Sequence, residues 1–178
     1  MTQTFETLTL RHATPADLSA VDVLLARSYP RLLAADYPPS VMVLAVPMIT
    51  RARPELLASG RYWLAEDPAG HLLGAGGWSA RVPASGGEGW PDRHGRVLAQ
   101  VRHVATDPDA LRRGVGRAVM ARVMAEARAA GFAGMECLAT RTAVPFYAAV
   151  GFRAVGPVEV NLAPGIDFPV VKMACDLL

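Results

Sequence analysis

The chain has 178 residues and a formal net charge of +2 at pH 7, and 52% of its residues are hydrophobic. This length suits one sizeable domain, and this composition is typical of a folded globular chain rather than a disordered one. The small net charge lacks the clustered cations that nucleic acid binding needs. No apolar run approaches the roughly 20 residues that span a bilayer, and no secretory leader pattern opens the chain. We therefore expect a cytoplasmic protein with neither nucleic acid nor membrane partners.

The cysteines and histidines show no spacing typical of a metal site. Cys137 and Cys175 lie in apolar stretches without a CxxC or CxxH pattern, so we expect buried free thiols in a reducing compartment. The four histidines are likewise not spaced as ligands, and no metal site is predicted. They occupy positions 12, 71, 94 and 103.

The first elements predicted along the chain are a strand and a helix. Residues 7–11 alternate between polar and apolar, which is typical of a strand. Thr14 then caps a helix that has Pro15 at its first position. Residues 38–59 are apolar but interrupted by prolines, which indicates broken or kinked helix.

The rest of the chain predicts a sheet with further helices. Strand patterns cover 61–66, 72–79, 97–106, 134–139, 152–160 and 168–177, and a glycine-rich loop covers 83–95. A long helix is expected after the strand at 97–106, ending at about Ala130, where Gly131 provides the stop. A short helix is expected over Pro145–Val150. The order predicts a single α/β (α+β) domain over 1–178, with its core over about 8–178. Its sheet should be mixed and mostly antiparallel, with helices on both faces.

A glycine-containing loop between the strand at 97–106 and the next helix carries the chemistry. Gly114 and Gly116 allow the backbone to turn its N–H groups into a concave anion site. The following helix N-terminus adds about half a positive charge at the same place. Nearby cations strengthen the site, namely Arg112, Arg113 and Arg117. The pattern indicates a pyrophosphate site, and nucleotides and coenzyme A both carry that group.

Two nucleotide-binding patterns do not match this loop. A P-loop requires Lys followed by Ser or Thr after the glycines, and none is present. A Rossmann fingerprint requires GxGxxG, but Gly116 is followed by Arg, Ala and Val. A glycine turn that only joins a strand to a helix is the structural alternative.

Two motifs resemble those of the GNAT (Gcn5-related N-acetyltransferase) superfamily. The segment Leu111-Arg-Arg-Gly114-Val-Gly116 is similar to the cofactor motif Q/R-x-x-G-x-G/A, with Leu111 in place of the usual polar residue. Residues 143–152, AVPFYAAVGF, are similar to the second cofactor motif, A-x-x-F-Y-x-x-x-G-F. The resemblance extends from about residue 8 to the C-terminus, and the order of elements agrees with it.

The resemblance implies acetyl-CoA as the acyl donor and cosubstrate. Pantetheine would pair with the strand like an added strand, through Val104, Ala105 and Thr106. The Val104 N–H would stabilise the oxyanion of the reacting thioester. The pyrophosphate would be held by Arg112, Arg113, Gly114, Val115, Gly116 and Arg117.

The resemblance also implies that an amine attacks the thioester directly in a ternary complex. Tyr147 is expected to be the general acid for the leaving thiolate, since the family's acid is a tyrosine at this motif position. Its structural alternative is a core aromatic. His103 is a weak base candidate, because strand alternation points it away from the face of Gln100 and Arg102, and Gln100 cannot titrate. Five aromatic residues are candidates for the acceptor pocket, and ordinary core or surface packing is the favoured alternative for each: Tyr29, Tyr37, Trp63, Trp78 and Trp90.

The leading hypothesis is an N-acetyltransferase that acts on a primary amine of a small molecule. Two alternatives stay open. A non-catalytic acyl-CoA-binding or sensing domain is suggested by the lack of an evident base, and a protein N-acetyltransferase would need an open cleft. Since members of the superfamily often form dimers, the resemblance also leaves a homodimer open.

Overall fold

The computed structural model describes residues 7–80 and 94–177, which form a seven-stranded sheet between two layers of helices. The strands are β1 Thr9–His12, β2 Tyr62–Glu66, β3 Leu72–Ser79, β4 Ala99–Thr106, β5 Gly134–Ala139, β6 Arg153–Ala163 and β7 Ile166–Asp176. Their spatial order is β1-β2-β3-β4-β5-β7-β6. Neighbouring strands are antiparallel except for the parallel pair β4 and β5. The predicted mixed, mostly antiparallel sheet is confirmed.

Within the described ranges, six α-helices cover the sheet. They are α1 Leu18–Leu33, α2 Pro39–Leu44, α3 Val46–Ile49, α4 Pro54–Leu57, α5 Val115–Ala129 and α6 Val144–Ala149. A proline at the first or second position of α2, α3 and α4 begins each short helix, as the broken pattern over 38–59 predicts. The predicted helix start at Pro15 is one 3-10 turn that leads into α1. None of the described helices is long and apolar enough to cross a membrane.

Two of the core clusters lie on opposite faces of the sheet, each between the sheet and one helix layer. On one face, Leu25 and other apolar residues of α1 and α4 pack with Leu64 of β2 and Ala105 of β4. On the other face, Val119 and its neighbours on α5 pack with Val101 of β4. The first face is called the α1 face below, and the second is called the α5 face. Cys137 and Cys175 are buried free thiols, as predicted.

The carboxylate of Glu126 on α5 accepts hydrogen bonds from two tryptophans that were candidates for the acceptor pocket. The indole N–H groups of Trp63 and Trp78 donate to Glu126 Oε2 over 3.2 Å and 2.8 Å. His12 Nε2 lies 2.9 Å from Glu126 Oε1. Trp63 and Trp78 therefore follow the packing alternative, because alternation along β2 and β3 turns both indoles to the α5 face. Trp90 and most of the predicted glycine-rich loop lie outside the described residues.

Glu126→Gln should destabilise the fold by about 1–3 kcal/mol, because the amide offers one acceptor oxygen and turns an NH2 group towards other donors. The measurement is the free energy of unfolding from urea denaturation at neutral pH. Glu159→Gln on the exposed side of β6 makes the same chemical change without these partners. Equal stabilities for the two variants would contradict the proposed role of Glu126.

Candidate active site

The strands β4 and β5 diverge and leave one edge of β4 open. They pair only at Ala99 with Met135 and at Gln100 with Glu136. On its other side, β4 continues to pair with β3 as far as Thr106. Among the described residues, the β5-facing edge of β4 thus has no strand partner over 101–106. This edge includes Val104, Ala105 and Thr106, which the resemblance assigns to the cofactor.

A β-bulge interrupts β4 in the middle of this open edge. Arg102 pairs with Gly77 and Ala105 pairs with Ala75, so two residues of β4 stand opposite Gly76. One of them, His103, has a φ of +46°, a conformation that is uncommon outside glycine and often found at functional sites. Alternation is broken at this point. The prediction that His103 points away from Arg102 is therefore wrong. The charges of Arg53 and Glu55 act on the pKa of both side chains.

Two buried tyrosines hold the carbonyl groups of the bulge. Tyr62 Oη donates to the His103 carbonyl oxygen over 2.7 Å, and Tyr29 Oη donates to the Val104 carbonyl oxygen over 3.2 Å. Both side chains lie on the α1 face, and Tyr29 was a candidate for the acceptor pocket. The sequence did not indicate a role for Tyr62, because a tyrosine in a strand is indistinguishable from a core residue until the partner of its hydroxyl is known. Tyr37, also a candidate for the acceptor pocket, packs on Phe168 away from the bulge.

Tyr147 reaches the same region from α6. Its ring is buried between Phe146 and Phe152, with ring centroids 5.2 Å and 5.4 Å away. Burial raises the pKa of Tyr147 well above its ordinary value, and nearby Cys137, Tyr29 and Tyr62 raise it further. Its hydroxyl has no hydrogen-bond partner within the described part of the chain. Tyr147 is therefore both a core aromatic and a protonated donor at neutral pH.

His103 presents an unsatisfied nitrogen at the bulge. Its Nδ1 is buried and lacks a hydrogen-bond partner among the described residues. Burial, together with the positive charges of Arg102 and Arg53, lowers the pKa of His103 to about 4. The imidazole is therefore neutral at pH 7. A buried polar atom without a partner costs about 1–3 kcal/mol, which a polar ligand would recover.

His103→Asn should flatten the loss of stability between pH 7 and pH 5. The folded pKa of about 4 lies below the ordinary value of about 6.5, so only the unfolded chain takes up a proton in this range. The stability from neutral His103 is full above pH 6.5 and is lost as the pH falls towards 4. In urea denaturation, the wild-type free energy of unfolding should drop by about 2 kcal/mol more than that of the variant.

His71→Asn is the control for removal of an exposed histidine. The His71 side chain is 76% exposed in the turn before β3, where its Nδ1 lies 2.9 Å from Asp67 Oδ2, and solvent screening keeps such a pair weak. The His71 variant should keep most of the wild-type difference between the two pH values. If the free energy of unfolding of His103→Asn depended on pH as that of the wild type does, burial of this imidazole would not govern the pH dependence.

The glycine loop lies at the end of β4, where α5 begins. Arg112 and Gly114 have φ values of +63° and +79°, and left-handed residues of this kind occur in turns whose N–H groups form anion-binding concavities. A Cβ atom on Gly116 would lie 3.0 Å from the Phe146 ring and 3.3 Å from Thr106 Oγ1. Glycine at this position therefore lets the two sequence motifs and the end of β4 meet without a shift of Phe146 or Thr106. Arg112, Arg113 and Arg117 are exposed around the loop.

The structure thus brings the predicted cofactor residues to one open edge and one helix start. His103 lies in the bulge of β4, and Tyr147 approaches from α6 near Tyr29 and Tyr62. Within residues 7–80 and 94–177, no group of three or more His, Cys, Asp or Glu residues is arranged to hold a metal ion.

A family model places this arrangement among known proteins. The acetyltransferase (GNAT) domain model matches residues 58–154, which include both motifs, β4 and α5. The chain belongs to the GNAT acetyltransferase family.

Solved structures of the same family share the fold across nearly the whole chain. A GCN5-related N-acetyltransferase from Rhodopseudomonas palustris has a TM-score of 0.74 at 20% identity, covering 99% of both chains. A PaiA N-acetyltransferase from Thermoplasma acidophilum, solved with coenzyme A, has a TM-score of 0.67 at 13% identity, covering 96% of this chain and 99% of its own. At these identities the likeness shows the fold alone. Comparison with curated proteins gives no match.

Proposed function

We propose that this protein transfers an acetyl group from acetyl-CoA to a primary amine of a small molecule, and that residues 1–178 form a single domain for this reaction. The observation that carries the proposal is the open edge of β4, which leads directly into the N–H groups of the glycine loop. Pantetheine would pair with Val104, Ala105 and Thr106, and the pyrophosphate would lie against residues 112–117. The coenzyme A complex of the PaiA relative supports this choice of donor.

The bulge would supply the oxyanion site. The thioester carbonyl would lie at the Val104 N–H, while Tyr29 and Tyr62 hold the adjacent carbonyl groups in place. The amine nitrogen attacks the carbonyl carbon, the carbon–sulfur bond breaks, and the thiolate takes a proton from Tyr147. The phenol suits this role because its pKa keeps it protonated at neutral pH.

His103 would orient the amine rather than store its proton. With a pKa of about 4, the imidazole is a weak base at pH 7, but its neutral Nδ1 can accept a hydrogen bond from the amine. The proton that the amine loses would pass to water. A small acceptor is favoured because Nδ1 and the hydroxyls at the bulge are buried beneath the α1 face, where a folded protein surface does not reach.

Gly114→Ala should raise the dissociation constant of acetyl-CoA about tenfold or more. Alanine is strained at a φ of +79°, so the loop would shift its N–H groups away from the pyrophosphate. The measurement is isothermal titration calorimetry with acetyl-CoA. Gly131→Ala at the far end of α5 is the control, since its φ is +91° and its Cβ also meets open space. Failure of the wild-type chain to bind acetyl-CoA would overturn the proposed function.

Tyr147→Phe should lower kcat for thiol release about 10²-fold and leave the dissociation constant of acetyl-CoA unchanged, because only the proton donor is lost. The measurement is a free-thiol assay with acetyl-CoA and a panel of primary amines. Tyr37→Phe is the matched control, since its hydroxyl donates to the Pro169 carbonyl oxygen away from the bulge. A kcat that Tyr147→Phe leaves unchanged would remove the acid role. If acetyl-CoA bound but no amine in the panel caused thiol release, the result would favour a non-catalytic acyl-CoA-binding domain.

A further inference from the structure

Arg102 is a half-buried cation on the α1 face, one residue before the bulge. Its guanidinium donates to Ser79 Oγ over 3.1 Å, and within the described residues it makes no ion pair with a carboxylate. Burial lowers the pKa of Arg102, and the nearby charge of Arg53 lowers it further. A guanidinium has five N–H donors in a planar fork, so most of its binding capacity is unused here.

Other charges around Arg102 do not neutralise it. Glu136 is satisfied by Lys172, at 3.0 Å, and by the Gln100 side chain. Glu55 acts on Arg102 through its charge, but it is exposed and forms no ion pair with it.

A shallow groove of about 530 Å³ near Arg102 carries more positive than negative charge. It runs along the segment from α3 to α4 and is lined by Pro47, Met48, Arg51, Ala52, Arg53, Pro54 and Glu55. Arg53 and Glu55 are the groove residues whose charges act on Arg102 and His103. With two arginines against one glutamate, this side of the bulge favours a negatively charged group.

From this arrangement we propose that the acceptor is an amine that also carries a carboxylate, which Arg102 binds as a fork while the amine nitrogen meets His103 Nδ1. This inference rests on the proposed acetyl transfer. Because Arg102 and His103 are adjacent in β4, one small molecule would carry both the carboxylate and the amine nitrogen. Paired N–H···O bonds from arginine to a carboxylate also give geometric selection, which a lysine cannot reproduce.

The test compares matched acceptors of increasing length: glycine, β-alanine and 4-aminobutyrate, each against the amide in which a neutral group replaces the carboxylate. In a free-thiol assay with saturating acetyl-CoA, at least one acid should exceed its amide by tenfold or more in kcat/KM. Arg102→Gln should abolish that preference, because it should raise KM for the acid by tenfold or more relative to KM for the amide. Arg102→Lys should retain part of the preference, because it keeps the charge and loses the fork.

Arg128→Gln is the control, since it removes one positive charge from the exposed last turn of α5 on the other face. It should leave the preference unchanged, and the dissociation constant of acetyl-CoA should be the same in all variants. Equal rates for acids and amides in the wild-type chain would overturn the inference, as would a preference that survives Arg102→Gln. Binding of acetyl-CoA without acetylation of any of the three acids would also overturn it. Absence of acetyl-CoA binding would overturn the proposed function and this inference with it.

Discussion

The β-bulge at His103 is the constraint on which the rest of the site depends. Because β4 carries one extra residue opposite Gly76, the strand bends away from β5 and opens its edge to a ligand. The positive φ of His103 is unfavourable by about 1–3 kcal/mol and persists only where surrounding contacts determine it. Hydrogen bonds from Tyr62 and Tyr29 to the carbonyls of His103 and Val104 supply those contacts. The proposed oxyanion donor is therefore set by side chains of the α1 face.

The two ends of the proposed site are built from different parts of the chain. The donor end relies on main-chain N–H groups of β4 and of the glycine loop, so the unusual Leu111 in the first motif, 41% exposed, does not interrupt it. The acceptor end relies on side chains, among them Arg102 and His103. Main-chain binding tolerates substitution provided that Gly114 and Gly116 keep their conformation and spacing. Side-chain recognition does not, so differences in acceptor choice would arise on the α1 face.

Local patterns in the sequence predicted most of the sheet, and they failed where long-range contacts decide. The strands at 61–66, 72–79 and 134–139 were predicted almost to the residue, because turns and apolar runs bound them. The bulge could not be predicted, because the hydroxyl that holds it comes from Tyr62, 41 residues before His103. The face on which Trp63 and Trp78 lie could not be predicted, because alternation separates two faces without saying which helix layer covers each. Only Glu126 on α5 reveals the choice.

The ionisation states around the bulge fit one direction of proton flow. Burial keeps His103 neutral and Tyr147 protonated at neutral pH, so neither group adds charge to the gap before the cofactor arrives. The charge nearest the bulge is then that of Arg102, with Arg53 and Glu55 acting from the neighbouring groove. A positively charged amine would be repelled by this arrangement and a neutral one would not, whereas a carboxylate on the same molecule would offset the repulsion. The electrostatics that weaken His103 as a base thus favour an acceptor that arrives as a neutral amine, and they make an attached anion the feature that selects it.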